Sequence, residues 1–190
     1  MYPLPRDIHY TYADLLMWDD NIRYELYSGF PVALASPTDF HQEIIGGIYF
    51  QLRGYVSGKR CKVYFAPFDV RLFEKGEDHP EDVDTVLQPD LLVVCDKSKT
   101  ADHLGVRGAP DMVVEVLSPS TARYDKHIKF SLYQRAGVRE YWIVDPAART
   151  VCVYVLENGA YHAGVIYSAD STVPVSVLDG CRIDLTEVFP

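Results

Sequence analysis

Thr85-Val86-Leu87-Gln88-Pro89-Asp90-Leu91-Leu92-Val93-Val94 is the stretch on which the reading of the fold turns. After Pro89 the run is apolar on both faces, as in a strand buried at the centre of a sheet. Proline donates no ladder hydrogen bond, so Pro89 belongs at a strand start or a bulge. Pro110 to Leu117, PDMVVEVL, reads as a second such strand, interrupted by one charge at Glu115. Two central strands, one begun by Asp90 and the other interrupted by Glu115, therefore anchor the predicted sheet.

The elements around them follow from periodicity and turn chemistry. Thr11 caps a short predicted helix through residues 13–17. Arg23 to Leu26 and Pro31 to Ala35 flank Ser28-Gly29 as a hairpin. Thr38 or Asp39 caps a longer helix with the stripe Ile44, Ile45, Ile48, Leu52, Tyr55 and Val56, stopped by Gly58. Residues 63–65 and 70–72 alternate as strands. A helix is expected over 122–136, capped by Ser120 or Thr121 and closed by Gly137. Residues 140–144 form a strand ending in an Asp145-Pro146 turn. Residues 151–156 and 161–167 pair around Asn158-Gly159. The segment 175–189 packs on the core as a short strand and turn. The order predicts one domain, residues 1–190, of α/β or α+β sandwich type: a mixed central sheet flanked by helices, with extra antiparallel hairpins.

The composition is that of a globular domain, 48% hydrophobic and 24% charged. No apolar run approaches the roughly 20 residues that span a bilayer, and MYPLPRDIHYTY lacks a signal-peptide pattern. Cys61, Cys95, Cys152 and Cys181 are widely spaced, without a CxxC pair, and read as reduced, mostly buried thiols of a cytoplasmic protein. A net charge of -9 argues against coating DNA through a general basic surface. It leaves room for a metal site with a local basic patch, and residues 123–139 carry the one extended basic excess.

The candidate site comes from residues that break the local pattern. Asp90 begins an apolar strand and Glu115 interrupts another. A buried carboxylate is costly unless a cation or donors answer it, and two close together repel. A hard divalent cation, Mg²⁺ or Mn²⁺, answers both, and Mg²⁺ takes one or two carboxylates with waters and phosphate oxygens. The Val116 carbonyl is a candidate further ligand. Lys129 is the third break. Asp125 and Lys129 share the inward stripe of their helix with Ile128, Leu132, Tyr133 and Ala136, and Asp125 lies one turn before Lys129. Taken singly, each residue has a plainer reading: a turn aspartate, an edge glutamate, a lysine snorkelling to solvent.

Together, Gln88-Pro89-Asp90 and Glu115-Val116-Leu117 resemble the PD-(D/E)XK nuclease superfamily. YELYSG, ASPTDFHQEIIGGI, QPDLLVV, PDMVVEVLSPST and DKHIKFSLYQRAGVREYWIVDP resemble its compact bacterial branch, described as restriction endonucleases of unknown function. The likeness runs over roughly residues 11–160. It implies a restriction-endonuclease-like fold, metal ligation by Asp90 and Glu115, and a further acid at Glu25. The superfamily motif has lysine two residues after the acid, on the same strand face. Here that slot is Leu117. In the branch a helix lysine replaces it, and Lys129 matches that position.

His41 lies on the inward stripe of its helix, where it either contacts phosphate or a metal-bound water or is a satisfied core histidine. Gln88 is a candidate for contact with substrate or for support of the acids, and Asp69 for an added carboxylate. Tyr133 and Trp142 read as core. Lys59-Arg60-Lys62 reads as a solvated loop, and Gly46-Gly47 lacks phosphate-loop spacing. The expected function is metal-dependent hydrolysis of DNA phosphodiester bonds by Asp90, Glu115, Lys129 and Glu25, with DNA as partner and a homodimer as a plausible assembly. The alternative is a weak or inactive nuclease-fold module that binds nucleic acid or a protein partner.

Overall fold

The computed structural model describes residues 8–19, 21–75, 77–119 and 121–190. The start of the N-terminal stretch read for a signal pattern, residues 1–7, and Ser120 as a helix cap lie outside them. Helix α1, Tyr12–Met17, begins at Thr11, whose N–H donates to the Asp14 carboxylate at 2.8 Å. Strands β1, Tyr24–Tyr27, and β2, Phe30–Ala33, join through Ser28-Gly29, both at positive φ as a tight hairpin turn requires. Helix α2, Asp39–Val56, starts at Thr38, whose hydroxyl accepts the His41 N–H.

Strands β3 (Lys62–Phe65), β4 (Val70–Arg71), β5 (Val86–Leu87), β6 (Leu91–Val94), β7 (Val106–Arg107) and β8 (Met112–Val116) follow. The expected mixed α/β architecture is present, with its strands divided over two sheets. β5 belongs to a five-stranded sheet of order β2-β1-β5-β4-β7, whereas β6 belongs to the larger one. Gln88-Pro89-Asp90 is where the chain passes from one sheet to the other. A proline that cannot donate to a ladder suits that crossing.

After β8 comes a π-helical turn, Tyr124–Lys129, running directly into helix α3, Phe130–Ala136. The regular helix expected over 122–136 is thus half right. Residue spacing of three and four does not separate an α turn from a single wide π turn, in which bonds run i→i+5. Ile128, expected inside, is 38% exposed, while Asp125 and Lys129 are buried. Gly137 closes α3 at φ 88.

Strands β9 (Glu140–Asp145), β10 (Thr150–Glu157), β11 (Ala160–Tyr161) and β12 (Val165–Ser168) complete the larger sheet, of order β11-β10-β9-β8-β6-β3 with β12 also on β10. β8 and β9 are parallel, joined over the top by α3; the other neighbours are antiparallel. The stretch 161–167 is two strands rather than one. Leu156 pairs Tyr161 but Val153 pairs Val165, so the partner chain carries one extra residue, a bulge. A hairpin of β13 (Thr172–Pro174) and β14 (Arg182–Asp184) ends the fold.

Alternation along the central strands sets the two faces. Leu91, Val93, Met112, Val114, Val116, Trp142 and Val144 pack with α2 and the C-terminal hairpin. Leu92, Val94, Val113, Leu117, Tyr141 and Ile143 pack with α3 and strands of the smaller sheet. By the same alternation Glu115 points to the second face, toward Lys129 and Tyr133. Gly47 is where α2 meets the C-terminal turn: a Cβ there would stand 2.9 Å from the Glu187 carbonyl.

Cys61 and Cys95 form a disulfide across β3 and β6, which corrects the expectation of four reduced thiols. They stand next to the Lys62–Val94 pair, and only the antiparallel register brings them together. Cys152 and Cys181 are free. Among the described residues no helix is long and apolar enough to cross a membrane.

Candidate functional site

Asp90, the residue just before β6, stands beside Glu115 of β8, since Leu91 pairs Val114. Glu115 is 3% exposed. Its Oε1 accepts from Lys129 Nζ at 2.9 Å and from the Tyr133 hydroxyl at 2.7 Å. The wide turn between β8 and α3 carries Lys129 inward, where its ammonium also meets Glu25 at 3.0 Å and Asp125 at 3.5 Å. Glu25 comes from β1 of the other sheet. The Gln88 N–H, at the sheet crossing, donates to Glu25 Oε1 at 2.8 Å, and the Tyr27 hydroxyl donates to Oε2 at 2.5 Å.

Asp90 is held differently. Its Oδ2 accepts the Val116 N–H at 2.8 Å and faces His41 Nε2 at 3.3 Å. The same His41 nitrogen lies 3.0 Å from the Val116 carbonyl. Helix α2, entered through the Thr38 cap, thus delivers His41 to the end of β8. A cleft of about 640 Å³ opens over Glu25, His41, Gln88, Asp90, Glu115, Val116, Asp125 and Lys129.

The electrostatics follow from one buried ammonium facing several carboxylates. Burial pushes the Glu115 carboxyl well above its ordinary pKa; Lys129 opposes this, while Asp125, Asp90 and Glu25 add to it. Asp125 is likewise raised, first by burial. For Lys129, burial disfavours the charge, but Glu115 and Glu25 outweigh it and keep the ammonium protonated well beyond the usual range. His41 shows the same balance: burial works against the imidazolium, and Asp90 and the Val116 carbonyl hold its pKa above the ordinary value. Burial and mutual repulsion thus make it hard for Glu115 and Asp125 to ionise together, a cost that a bound cation would relieve.

Among the described residues no three His, Cys, Asp or Glu side chains are grouped as a ready-made metal cage. The donors instead fit a hard cation that keeps its waters: two carboxylates on adjacent strands, Asp90 and Glu115, and the second lone pair of the Val116 carbonyl.

Every candidate from the sequence except Asp69 lines this one cleft. Asp69 sits behind it, bonded to Gln88 Nε2 at 2.8 Å and to the Tyr12 hydroxyl at 3.2 Å. Leu117 is buried in the apolar layer with Leu132 and Tyr133, so its slot carries no charge. Tyr133 and Trp142 are core, as expected, but the Tyr133 hydroxyl also belongs to the site. That role was missed, and so was Tyr27. Tyr133 follows Lys129 by four residues on one helical stripe, and Tyr27 follows Glu25 by two on one strand face, so spacing held the signal.

A family model described as "Putative restriction endonuclease" matches residues 11–186. The chain is also similar in fold to a solved structure from Anabaena variabilis ATCC 29413, described as "a putative nuclease belonging to DUF820". The TM-score is 0.71 at 19% identity, over 94% of this chain and 97% of that one. At that identity the likeness speaks to the fold alone, which is restriction-endonuclease-like as expected. No curated protein matches the chain.

Proposed function

The chain belongs to the Uma2 family of restriction-endonuclease-like proteins, and from that premise we propose that it hydrolyses DNA phosphodiester bonds with Mg²⁺ or Mn²⁺. The observation that carries the reading is Lys129, buried within 3.5 Å of Glu25, Glu115 and Asp125, at the floor of the cleft that Asp90 also lines. Packing does not require a buried network of this charge, since apolar residues of similar volume often fill such space as well.

Asp90 and Glu115 would hold the cation, with Val116 offering its carbonyl. A divalent ion held by these groups would supply polarisation of the phosphate and a water of lowered pKa. Lys129, kept protonated by its carboxylates, stabilises charge developing on a phosphate oxygen rather than removing a proton. Glu25 and Tyr133 fix the ammonium and the Glu115 carboxylate in place. His41 holds Asp90 against the Val116 carbonyl. A pair of copies, each addressing one strand, suits cleavage of a duplex.

The buried, apolar Leu117 favours a second reading, a nuclease scaffold that binds without cutting. Incubation with plasmid DNA and titration calorimetry with Mn²⁺ separate the two. The expected result is nicking by the wild type and none by Glu115→Ala, with unchanged circular dichroism. Cutting by that variant at the wild-type rate would sink the assignment, and Mn²⁺ binding without any cleavage would favour the second reading.

A further inference from the structure

Arg23 lines the same cleft and has no part in the acid cluster. It precedes β1 and lies two residues before Glu25, so the two side chains leave the strand on one face. Its Nε donates to Gln88 Oε1 at 3.0 Å. Gln88 is fixed in turn, because its Nε2 donates to Asp69 Oδ1 at 2.8 Å. Asp69 accepts from the Tyr12 hydroxyl, which lies 2.8 Å from the Leu104 carbonyl as well. This run of contacts orients one edge of the guanidinium.

Among the described residues Arg23 makes no ion pair, although carboxylates crowd the cleft beside it. Lys126, another cation of the cleft, stands 3.8 Å from Asp145. An arginine held by Nε keeps its two Nη groups as a fork, and that fork matches two oxygens of a phosphate. A chain of net charge -9 draws no polyanion by general attraction, so an oriented local cation has to supply the contact.

We propose that Arg23 binds a backbone phosphate of the DNA strand next to the one held over Asp90 and Glu115, with Gln88 as its positioning residue. The inference rests on the phosphodiester reading above. It assigns recognition of the phosphate and not of the base.

The test is fluorescence anisotropy with a fluorescein-labelled 20-base-pair DNA in Ca²⁺, repeated over a series of salt concentrations. Arg23→Ala is expected to weaken binding roughly tenfold or more, and to make the slope of log K against log salt shallower by about one. Arg23→Lys is expected to keep the slope with weaker binding. Gln88→Leu is expected to weaken binding in the wild type and to add nothing in Arg23→Ala. An unchanged slope in Arg23→Ala, with or without loss of affinity, overturns the phosphate contact. Additive effects of the two changes overturn the role of Gln88. A wild type that binds no DNA overturns the phosphodiester reading and this contact with it, whereas a wild type that binds with Arg23→Ala indistinguishable from it overturns the contact alone.

Discussion

Glu25 and Glu115 lie on strands of different sheets, yet one ammonium spans them, with Lys129 Nζ at 3.0 Å from the first and 2.9 Å from the second. Packing and the candidate chemistry therefore converge on one side chain.

Lys129→Met tests that dual role. Removing one partner of a buried pair leaves uncompensated charge and costs about 3–5 kcal/mol. The Glu115 carboxyl is already raised by burial, and loss of the ammonium raises it further. A carboxyl whose folded pKa exceeds its unfolded value favours the fold below the unfolded pKa and loses that contribution as pH climbs through the folded one. The destabilisation is accordingly expected to be larger at pH 8 than at pH 5. Urea denaturation at the two values reads it, and an equal loss at both would contradict the buried charge network.

The two glycines of α2 are expected to respond with opposite sign. Nothing lies within 4 Å of a Cβ at Gly46, so Gly46→Ala gains helix propensity, about 0.5–1 kcal/mol. At Gly47 the Cβ meets the Glu187 carbonyl at 2.9 Å and Val188 Cα at 3.1 Å, both backbone atoms that cannot turn aside. Gly47→Ala is expected to lower the melting temperature despite the better propensity. Thermal melts of the two variants compare them directly, and a stabilised Gly47→Ala would mean that the C-terminal turn does not pack on α2.

Thiol counting checks the crosslink. Without reductant, the unfolded chain is expected to show two reactive thiols, Cys152 and Cys181, and four after reduction. In the folded protein burial pushes the Cys181 thiol up to about 11, so its labelling is expected to stay slow at pH 8 and to rise only in strong base. Four thiols in the unreduced chain would remove the β3–β6 bridge.

Asp90, Glu115 and Lys129 were legible because each interrupts an apolar pattern that physics enforces locally. Glu25 interrupts none: YELY is a strand in which any acid could face water, and only the family resemblance singled it out. Tyr27 and Tyr133 escaped because an aromatic ring satisfies a core pattern whatever its hydroxyl does. The division into two sheets and the Cys61–Cys95 bridge depend on pairings between residues far apart in the chain, which periodicity does not encode. The one-residue bulge opposite β10 was invisible for a related reason, since it shows only against its partner strand.

The crossing at Gln88-Pro89-Asp90 has a consequence for assembly. A chain in which only the larger sheet has formed possesses Asp90 and Glu115 but lacks Glu25, and Lys129 has lost one of its counter-charges. The second layer must dock before Gln88 can hold Glu25 in place. The candidate centre thus depends on both sheets at once: a half-built chain carries Asp90 and Glu115 without Glu25, and so without the full set of contacts around Lys129.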